Sequence, residues 1–183
     1  KKLVRTTDFV IESFSPGYLD GLGLGYAMLQ KINPRVVLVS ITPYGQTGPY
    51  RDFKATDLTL MAMGGQMSVS GDSDRPPVRI SVPQAYMHGG ANAAAACLIA
   101  LHFRDKAGVG QHIDVSIHES VVRSMGPEMS YWYYSGSECH RYGPCRPRGA
   151  ILVRDIWSCR DGCLTLKVLG GPRLREIRPL IEW

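Results

Sequence analysis

Two stretches decide the fold, FVIESFSPG at residues 9–17 and VVLVSI at residues 36–41. The first is a short apolar run that stops at Pro16-Gly17, as a buried strand does when it opens into a loop. The second is continuous and rich in β-branched residues, which is typical of a strand covered on both faces. We predict a helix from Tyr18 to Ile32 between them, ended by Asn33-Pro34. Strand, helix and strand form a βαβ unit, so the predicted fold class is α/β with a Rossmann-like parallel sheet.

The rest of the chain is predicted to form mainly helices, followed by a pair of strands near its end. The predicted elements are a helix at 57–63, a polar loop at 71–77, a helix at 89–104, a strand at 112–117, a long helix at 119–134 broken near Gly126-Pro127, and a strand pair at 151–157 and 163–168 that turns at Arg160-Asp161-Gly162. The helix at 89–104 is apolar nearly all round, which predicts burial on every side. We therefore predict part of a large domain at 1–134, a linker or lid loop at 135–150, and the start of a smaller α+β domain at 151–183.

Composition limits the class of protein. The 183 residues are 44% hydrophobic and 20% charged, which is globular composition. No run approaches the roughly 18 uninterrupted apolar residues of a membrane helix, so no membrane partner is predicted. A net charge of +5 suits an anionic ligand without choosing its kind. The missing initiating Met and the abrupt ends indicate an internal piece of a longer protein.

The cysteines bear on compartment and metal binding. The chain has five, an odd number, and they form no closely spaced, even framework. Free thiols in a reducing cytoplasm are therefore predicted. No tight Cys-x-x-Cys pair is present, so the sequence predicts no metal site.

A series of glycine and proline turns runs through the chain in a fixed order. They are Glu12-Ser13-Phe14-Ser15-Pro16-Gly17, Ile32-Asn33-Pro34-Arg35, Tyr44-Gly45-Gln46-Thr47-Gly48-Pro49-Tyr50 and Gly108-Val109-Gly110-Gln111-His112, with Lys54 and Asp57 between the last two. In this order they resemble the class III CoA-transferases, the group of formyl-CoA transferase and carnitine CoA-transferase. The resemblance covers nearly the whole chain and is strongest from Phe9 to Glu119.

This resemblance implies a function, a cofactor and partners. It implies CoA transfer between a thioester and a carboxylic acid, with coenzyme A as cofactor, no metal, and acyl-CoA and an organic acid as partners. Residues 1–134 would then be part of the CoA-binding domain. Members of the family form interlocked dimers in which each chain threads the other. An interlocked homodimer, or a heteromer with a paralogous subunit, is therefore expected.

The resemblance also implies cofactor-binding residues, which are Ser13, Phe14, Gly17, Leu22, Lys54, Gly89 and Gly90. The turn at Ser13 and Phe14 follows a parallel strand, where open α/β sheets bind ligands, and the Phe14 ring could stack on adenine. Lys54 would meet a phosphate as a point charge. Gly89 and Gly90 would offer free backbone N–H groups at a helix start to a carboxylate or thioester oxygen.

Tyr86 stands where the family carries its nucleophilic aspartate. That carboxylate attacks an acyl-CoA, forms a mixed anhydride, and then accepts CoA as an enzyme thioester. A phenol, with a pKa of about 10, cannot pass through this exchange. Three interpretations follow: a non-catalytic subunit paired with an active paralogue, a transferase that recruits another group such as Asp57, or altered chemistry. In the last case His88, predicted at a helix N-terminus, could act as a base.

Two other functions compete with CoA transfer. An acyl-CoA racemase, isomerase or lyase of the same superfamily would use His88 or Asp57 as a general base. Racemases of this superfamily have histidine directly before that acid, whereas this chain has Thr56. A nucleic-acid-binding module would use the basic segment from Arg141 to Arg154, which lacks interleaved aromatic platforms. The sequence therefore favours CoA transfer and predicts no nucleic-acid partner.

Overall fold

The structure is a computed structural model that describes residues 1–148, 151–167 and 179. The chain divides into two compact units. The first comprises Lys1–Ser68 and Val78–Cys139, and the second comprises Val69–Pro77 with the described residues from His140 onward.

A parallel sheet and helices form the first unit. The strands are β1 (Phe9–Glu12), β2 (Val37–Thr42) and β3 (His112–Ser116), and the helices are α1 (Tyr18–Gly21), α2 (Tyr26–Ile32), α3 (Asp57–Met63), α4 (Ala85–Ala107), α5 (Ile117–Ser124) and α6 (Gly126–Ser135). The strand order is β1-β2-β3, and both pairings are parallel. The predicted α/β fold class is confirmed.

Strand β2 lies at the centre of the sheet and is covered on both faces. Val37 and Val39 pack against Ala93 and Ala100 of α4. On the other face Leu38 packs with Leu29 of α2. The continuous β-branched run therefore reflects a strand that contacts helices on both sides, as predicted.

Helices α3 and α5 pack beside the start of α4. Their shared cluster of buried residues consists of Leu60, Met61, Ala85, Ile117 and Val121. Helix α3 spans the predicted residues 57–63. The Thr56 hydroxyl accepts a hydrogen bond from Thr59 N, and the Thr59 hydroxyl accepts one from Thr56 N, which together form a capping box. Gly64-Gly65 follow the helix.

Helix α4 begins at Ala85, four residues before the predicted start at Gly89. The bond from His88 N to Gln84 O begins its hydrogen-bond ladder. Gly89 and Gly90 therefore lie in the second turn, and the prediction that they leave free N–H groups at a helix start is wrong. Gly89 instead permits close packing, because a Cβ there would lie 3.0 Å from Cγ1 of Ile117.

Burial of α4 also differs from the prediction. Its buried residues follow one stripe: Ala85, Gly89, Ala93, Ala100 and Arg104. Leu98 and Ile99 are 69% and 70% exposed within the described part of the chain. The prediction of burial on every side is wrong here, because the sheet and the neighbouring helices cover one side of α4.

Two predicted long helices are interrupted. The segment 18–32 forms α1 and α2 rather than one helix, because Gly23 has a φ of +64° and Gly25 is extended. The predicted break near Gly126-Pro127 is confirmed, since α5 ends at Ser124 and α6 begins at Gly126 with proline in its first turn. None of the described helices is long and apolar enough to cross a bilayer.

The second unit contains two antiparallel hairpins in its described residues. Strand β4 (Cys145–Arg148) pairs with β5 (Ile151–Arg154), and β6 (Ile156–Ser158) pairs with β7 (Cys163–Thr165). Residues 145–148 were predicted as loop, and the predicted strand 151–157 is two strands. The predicted hairpin turn is confirmed by the bond from Cys159 N to Gly162 O. Val168, the predicted end of the last strand, lies outside the described residues.

Candidate functional site

A cleft lies at the carboxyl ends of β1 and β2, on the face of the sheet that α2 covers. Its lining includes Glu12, Ser15, Gly17, Tyr18, Asp20, Tyr26, Ser40, Gln46 and His112. Open parallel sheets bind their ligands at this edge, where strands end and helices begin. The cleft is therefore the candidate site for the cofactor.

A polar group inside the cleft was not found from the sequence. Ser40 Oγ lies 2.9 Å from His112 Nε2, and the His112 ring stacks on Tyr26 with 5.8 Å between ring centroids. Burial raises the pKa of the Tyr26 phenol, so its hydroxyl stays protonated at neutral pH. Ser40 is the one polar residue in the otherwise apolar run VVLVSI. A hydroxyl in such a strand is the sequence feature that could have indicated a polar group here.

The β1–α1 turn brings some of the predicted cofactor residues to this cleft. Gly17 lines it and has a φ of +80°, which favours glycine. The Phe14 ring is half exposed and lies 4.8 Å from the ring of Tyr18, which also lines the cleft. Ser13 is exposed beside Phe14, and Leu22 is exposed at the end of α1. An aromatic pair at the cleft provides a surface for a planar base.

Lys54 lies on the surface two residues before the Thr56 cap of α3. It is not among the residues that line the cleft. An exposed ammonium on a flexible stem can reach an anion that approaches α3 from solvent.

Asp57 is buried and holds the start of α4. Its Oδ1 accepts a hydrogen bond from Ala85 N at 2.8 Å. Among the described residues, no donor bonds to its buried Oδ2, and the Nε of Arg79 lies 3.8 Å from that oxygen. A carboxylate at a helix N-terminus is stabilised by the unpaired N–H groups there. Asp57 therefore fixes the residue directly before position 86.

Tyr86 follows Ala85 in the first turn of α4, and its side chain is 48% exposed. The structure thus brings Tyr86 and Asp57 to the same helix start, although 28 residues separate Asp57 from Ala85 in sequence. Within the described chain, α4 has no side-chain cap at Gln84. The backbone N–H groups of Tyr86 and Met87 are therefore free to meet a ligand.

His88 is half-buried and faces another side of α4. Residues two apart on a helix do not face each other, so Tyr86 and His88 point in different directions. His88 lines a shallow hollow with Asn92, Ser120 and Arg123. The residues described include no group of three or more His, Cys, Asp or Glu placed to hold a metal ion.

Comparison with known proteins identifies one protein family along nearly the whole chain. Residues 1–182 match the family model of CoA-transferase family III. The chain is 35% identical over 88% of its length to the succinyl-CoA–D-citramalate CoA-transferase of Chloroflexus aurantiacus, of which it covers 40%. It is 34% identical over its full length to subunit BbsE of the succinyl-CoA:(R)-benzylsuccinate CoA-transferase of Thauera aromatica, of which it covers 43%.

A third relative and a solved structure extend this likeness. The chain is 40% identical over 67% of its length to the beta subunit of the succinyl-CoA–L-malate CoA-transferase of Chloroflexus aurantiacus, of which it covers 31%. It superposes on a CAIB/BAIF family protein from Brucella suis with a TM-score of 0.82 and 32% identity, over 99% of this chain and 47% of that one. The chain thus spans less than half the length of these relatives. It belongs to CoA-transferase family III.

Proposed function

We propose that the protein binds acyl-CoA and takes part in CoA transfer as a subunit that does not itself carry CoA covalently. The observation that carries this proposal is the place of Tyr86 in the first turn of α4, at the position that the family resemblance assigns to the nucleophilic aspartate. Asp57 anchors the residue before it. In this proposal the scaffold of the transfer site is kept, with a different side chain at the point of transfer.

The chemistry of Tyr86 explains why covalent transfer stops here. A carboxylate that attacks a thioester forms a mixed anhydride and releases CoA as a thiolate. That thiolate then attacks the enzyme carboxyl carbon of the anhydride, which breaks the anhydride bond, releases the donor acid as a carboxylate and leaves CoA on the enzyme as a thioester. A phenolate would form an aryl ester and release the same thiolate. The phenol has no carbonyl carbon, so CoA cannot become attached to the protein. The nucleophilic carboxylate must then come from another subunit.

A heteromer suits this chemistry. Two relatives are named as subunits, BbsE and a beta subunit. We propose a paralogous subunit with aspartate at the matching position as the partner, in the interlocked arrangement that the family resemblance implies. A homodimer would leave both copies with tyrosine at position 86.

The cleft at the carboxyl ends of β1 and β2 is the proposed place of the CoA nucleotide. Phe14 and Tyr18 would meet the adenine, and the exposed Lys54 would meet a phosphate. The acyl end would lie at Tyr86, near the free N–H groups of α4. Ser13, Gly17 and Leu22 would line the path. Gly89 would act through the packing of α4 against Ile117, whereas Gly90 lies on the exposed side of α4.

The acyl group is proposed to come from a dicarboxylic acid. The names of several relatives specify citramalate, malate, glutarate or oxalate, which carry two carboxylates, and a succinyl group, which keeps one free carboxylate as a thioester. The competing use of Asp57 as a general base or nucleophile is disfavoured by its environment. Its Oδ1 is engaged by Ala85, and its Oδ2 is buried.

Calorimetry and an exchange assay test the proposal. We expect the purified protein to bind CoA, yet to transfer no CoA from succinyl-CoA to malate or citramalate alone. Mixing with the paralogous subunit should produce exchange. Exchange by the isolated protein would reject the non-catalytic role, and failure to bind CoA would reject the proposal entirely.

A further inference from the structure

We infer that Arg79 binds the free carboxylate of a dicarboxylic acyl group and thereby selects the thioesters that the site accepts. This inference rests on the proposed function, because it assigns a specificity-determining residue to the same acyl-CoA site. Two observations support the inference: the position of the Arg79 guanidinium, and its N–H groups that make no hydrogen bond within the described residues.

The guanidinium lies beside the first turn of α4. Arg79 Nε is 3.8 Å from Asp57 Oδ2, and Asp57 Oδ1 accepts from Ala85 N at 2.8 Å. A single carboxylate therefore links Arg79 to the residue directly before Tyr86. A ligand whose thioester reaches position 86 would bring the far end of a short acyl chain within range of this cation.

Arg79 is held in place by its own segment of chain. Its Nε donates to Ile80 O at 3.1 Å, and its Nη2 donates to Ser81 O at 3.3 Å. These bonds use two of the five N–H groups of a guanidinium. In the described part of the chain, both N–H groups of Nη1 and one of Nη2 have no acceptor. The side chain is 42% exposed, so a ligand can reach these donors.

An arginine with two adjacent free donors suits a carboxylate. The planar fork matches the two carboxylate oxygens and forms paired, charge-assisted bonds. Because the backbone bonds already fix the side chain, little conformational entropy is lost when the ligand arrives.

Asp57 lowers the net charge near Arg79 without blocking it. At 3.8 Å the ion pair is longer than a hydrogen bond, and its contact is to Nε of the guanidinium. Its other oxygen is already engaged by Ala85 N. The opposite edge of Arg79 remains open to a second carboxylate. We therefore expect a moderate gain in affinity, about tenfold or more, from this contact.

Calorimetric titration with CoA, butyryl-CoA and succinyl-CoA tests the inference. Butyryl-CoA and succinyl-CoA have acyl chains of equal carbon number, and only the latter carries a free carboxylate. The wild-type protein should bind succinyl-CoA about tenfold more tightly than butyryl-CoA. Arg79→Gln should remove that preference and leave the affinities for CoA and butyryl-CoA unchanged.

Arg35→Gln is the matched control. Arg35 pairs with Asp105 at 3.3 Å, and its side chain is 51% exposed, so it is an ion-paired arginine about as exposed as Arg79. It precedes β2 at the amino end of the sheet, away from the cleft. Arg35→Gln should keep the full preference for succinyl-CoA. If both variants lose the preference equally, the loss comes from the change in net charge, and the inference is overturned.

The outcomes separate this inference from the proposed function. If the wild-type protein does not bind CoA, the proposed function and this inference both fall. If CoA binds but succinyl-CoA has no advantage, or if Arg79→Gln keeps the advantage, only the inference falls. If melting curves show that Arg79→Gln does not fold, Arg79→Lys decides, because the ammonium keeps the charge but loses the planar fork. An undiminished preference in Arg79→Lys overturns the inference.

Discussion

At the residue scale, an aspartate at position 86 would supply the carbonyl carbon that tyrosine lacks. Tyr86 is 48% exposed, so a smaller side chain there needs no repacking of the core. We expect Tyr86→Asp, incubated with succinyl-CoA, to form a protein–CoA thioester. Intact-protein mass spectrometry would show the added mass of CoA, and hydroxylamine would remove it.

Tyr86→Asn is the control for this substitution. The amide has the shape of aspartate but is a poor nucleophile, so it should gain no mass. If Tyr86→Asp binds CoA and still forms no adduct, position 86 does not lie at the point of transfer.

Some features of the candidate site can be inferred from motifs in the sequence, whereas others depend on residues that only the tertiary fold brings together. Tyr86 and Asp57 are candidates because the family resemblance implies their positions, and their roles stay predictions. The bond between Asp57 and Ala85 could not be predicted, since it joins residues 28 apart through the tertiary fold. The pairing of Ser40 with His112 spans 72 positions. His112 ends one of the turns that carry the family resemblance, but that turn does not indicate a partner in β2. Local sequence cannot place such side chains together.

At the element scale, the turn Gly108-Val109-Gly110 serves the packing of α4 against the sheet. Gly108 ends α4 with a φ of +74°. Gly110 N donates to Pro34 O at 2.8 Å, and a Cβ on Gly110 would lie within the contact distance of the Val36 carbonyl. Two of the turns that carry the family resemblance therefore contact each other, and their glycine and proline residues are explained by packing.

Substituting this glycine should cost stability. Gly110→Ala forces its new methyl group into the backbone of Val36, which should lower the free energy of unfolding by about 1–3 kcal/mol. Gly90→Ala is the matched control, because nothing lies within 4 Å of its added Cβ in the middle of α4. It should raise stability by about 0.5–1 kcal/mol. Urea denaturation measures both, and equal effects would contradict the packing role of Gly110.

The helices show what sequence patterns could and could not fix. Helix α3 was placed correctly because its closing glycines, Gly64-Gly65, are a local signal. The start of α4 was misplaced because Gly89-Gly90 suggest a boundary, whereas Asp57 secures the helix from outside it. The exposed Leu98 and Ile99 show a further limit. An apolar helix sequence indicates that burial is favourable but not which neighbour supplies it.

At the scale of the whole molecule, charge should govern the encounter with CoA. The chain carries a net charge of +5, and CoA carries three phosphate groups. Attraction between solvent-exposed charges is screened over a Debye length of about 10 Å at 0.1 M salt. We therefore expect the dissociation constant for CoA to rise several-fold between about 0.02 and 0.2 M sodium chloride, as measured by calorimetry.

Pantetheine separates this charge effect from contacts with the rest of the cofactor. It has the thiol arm of CoA but no phosphate, so its binding should be weaker and should change little with salt. Lys54→Gln should reduce the salt dependence for CoA, because it removes the exposed cation proposed to meet a phosphate. Equal salt dependence for CoA and pantetheine would contradict electrostatic attraction as the source. The affinity would then come from the aromatic pair Phe14–Tyr18 and the polar lining of the cleft.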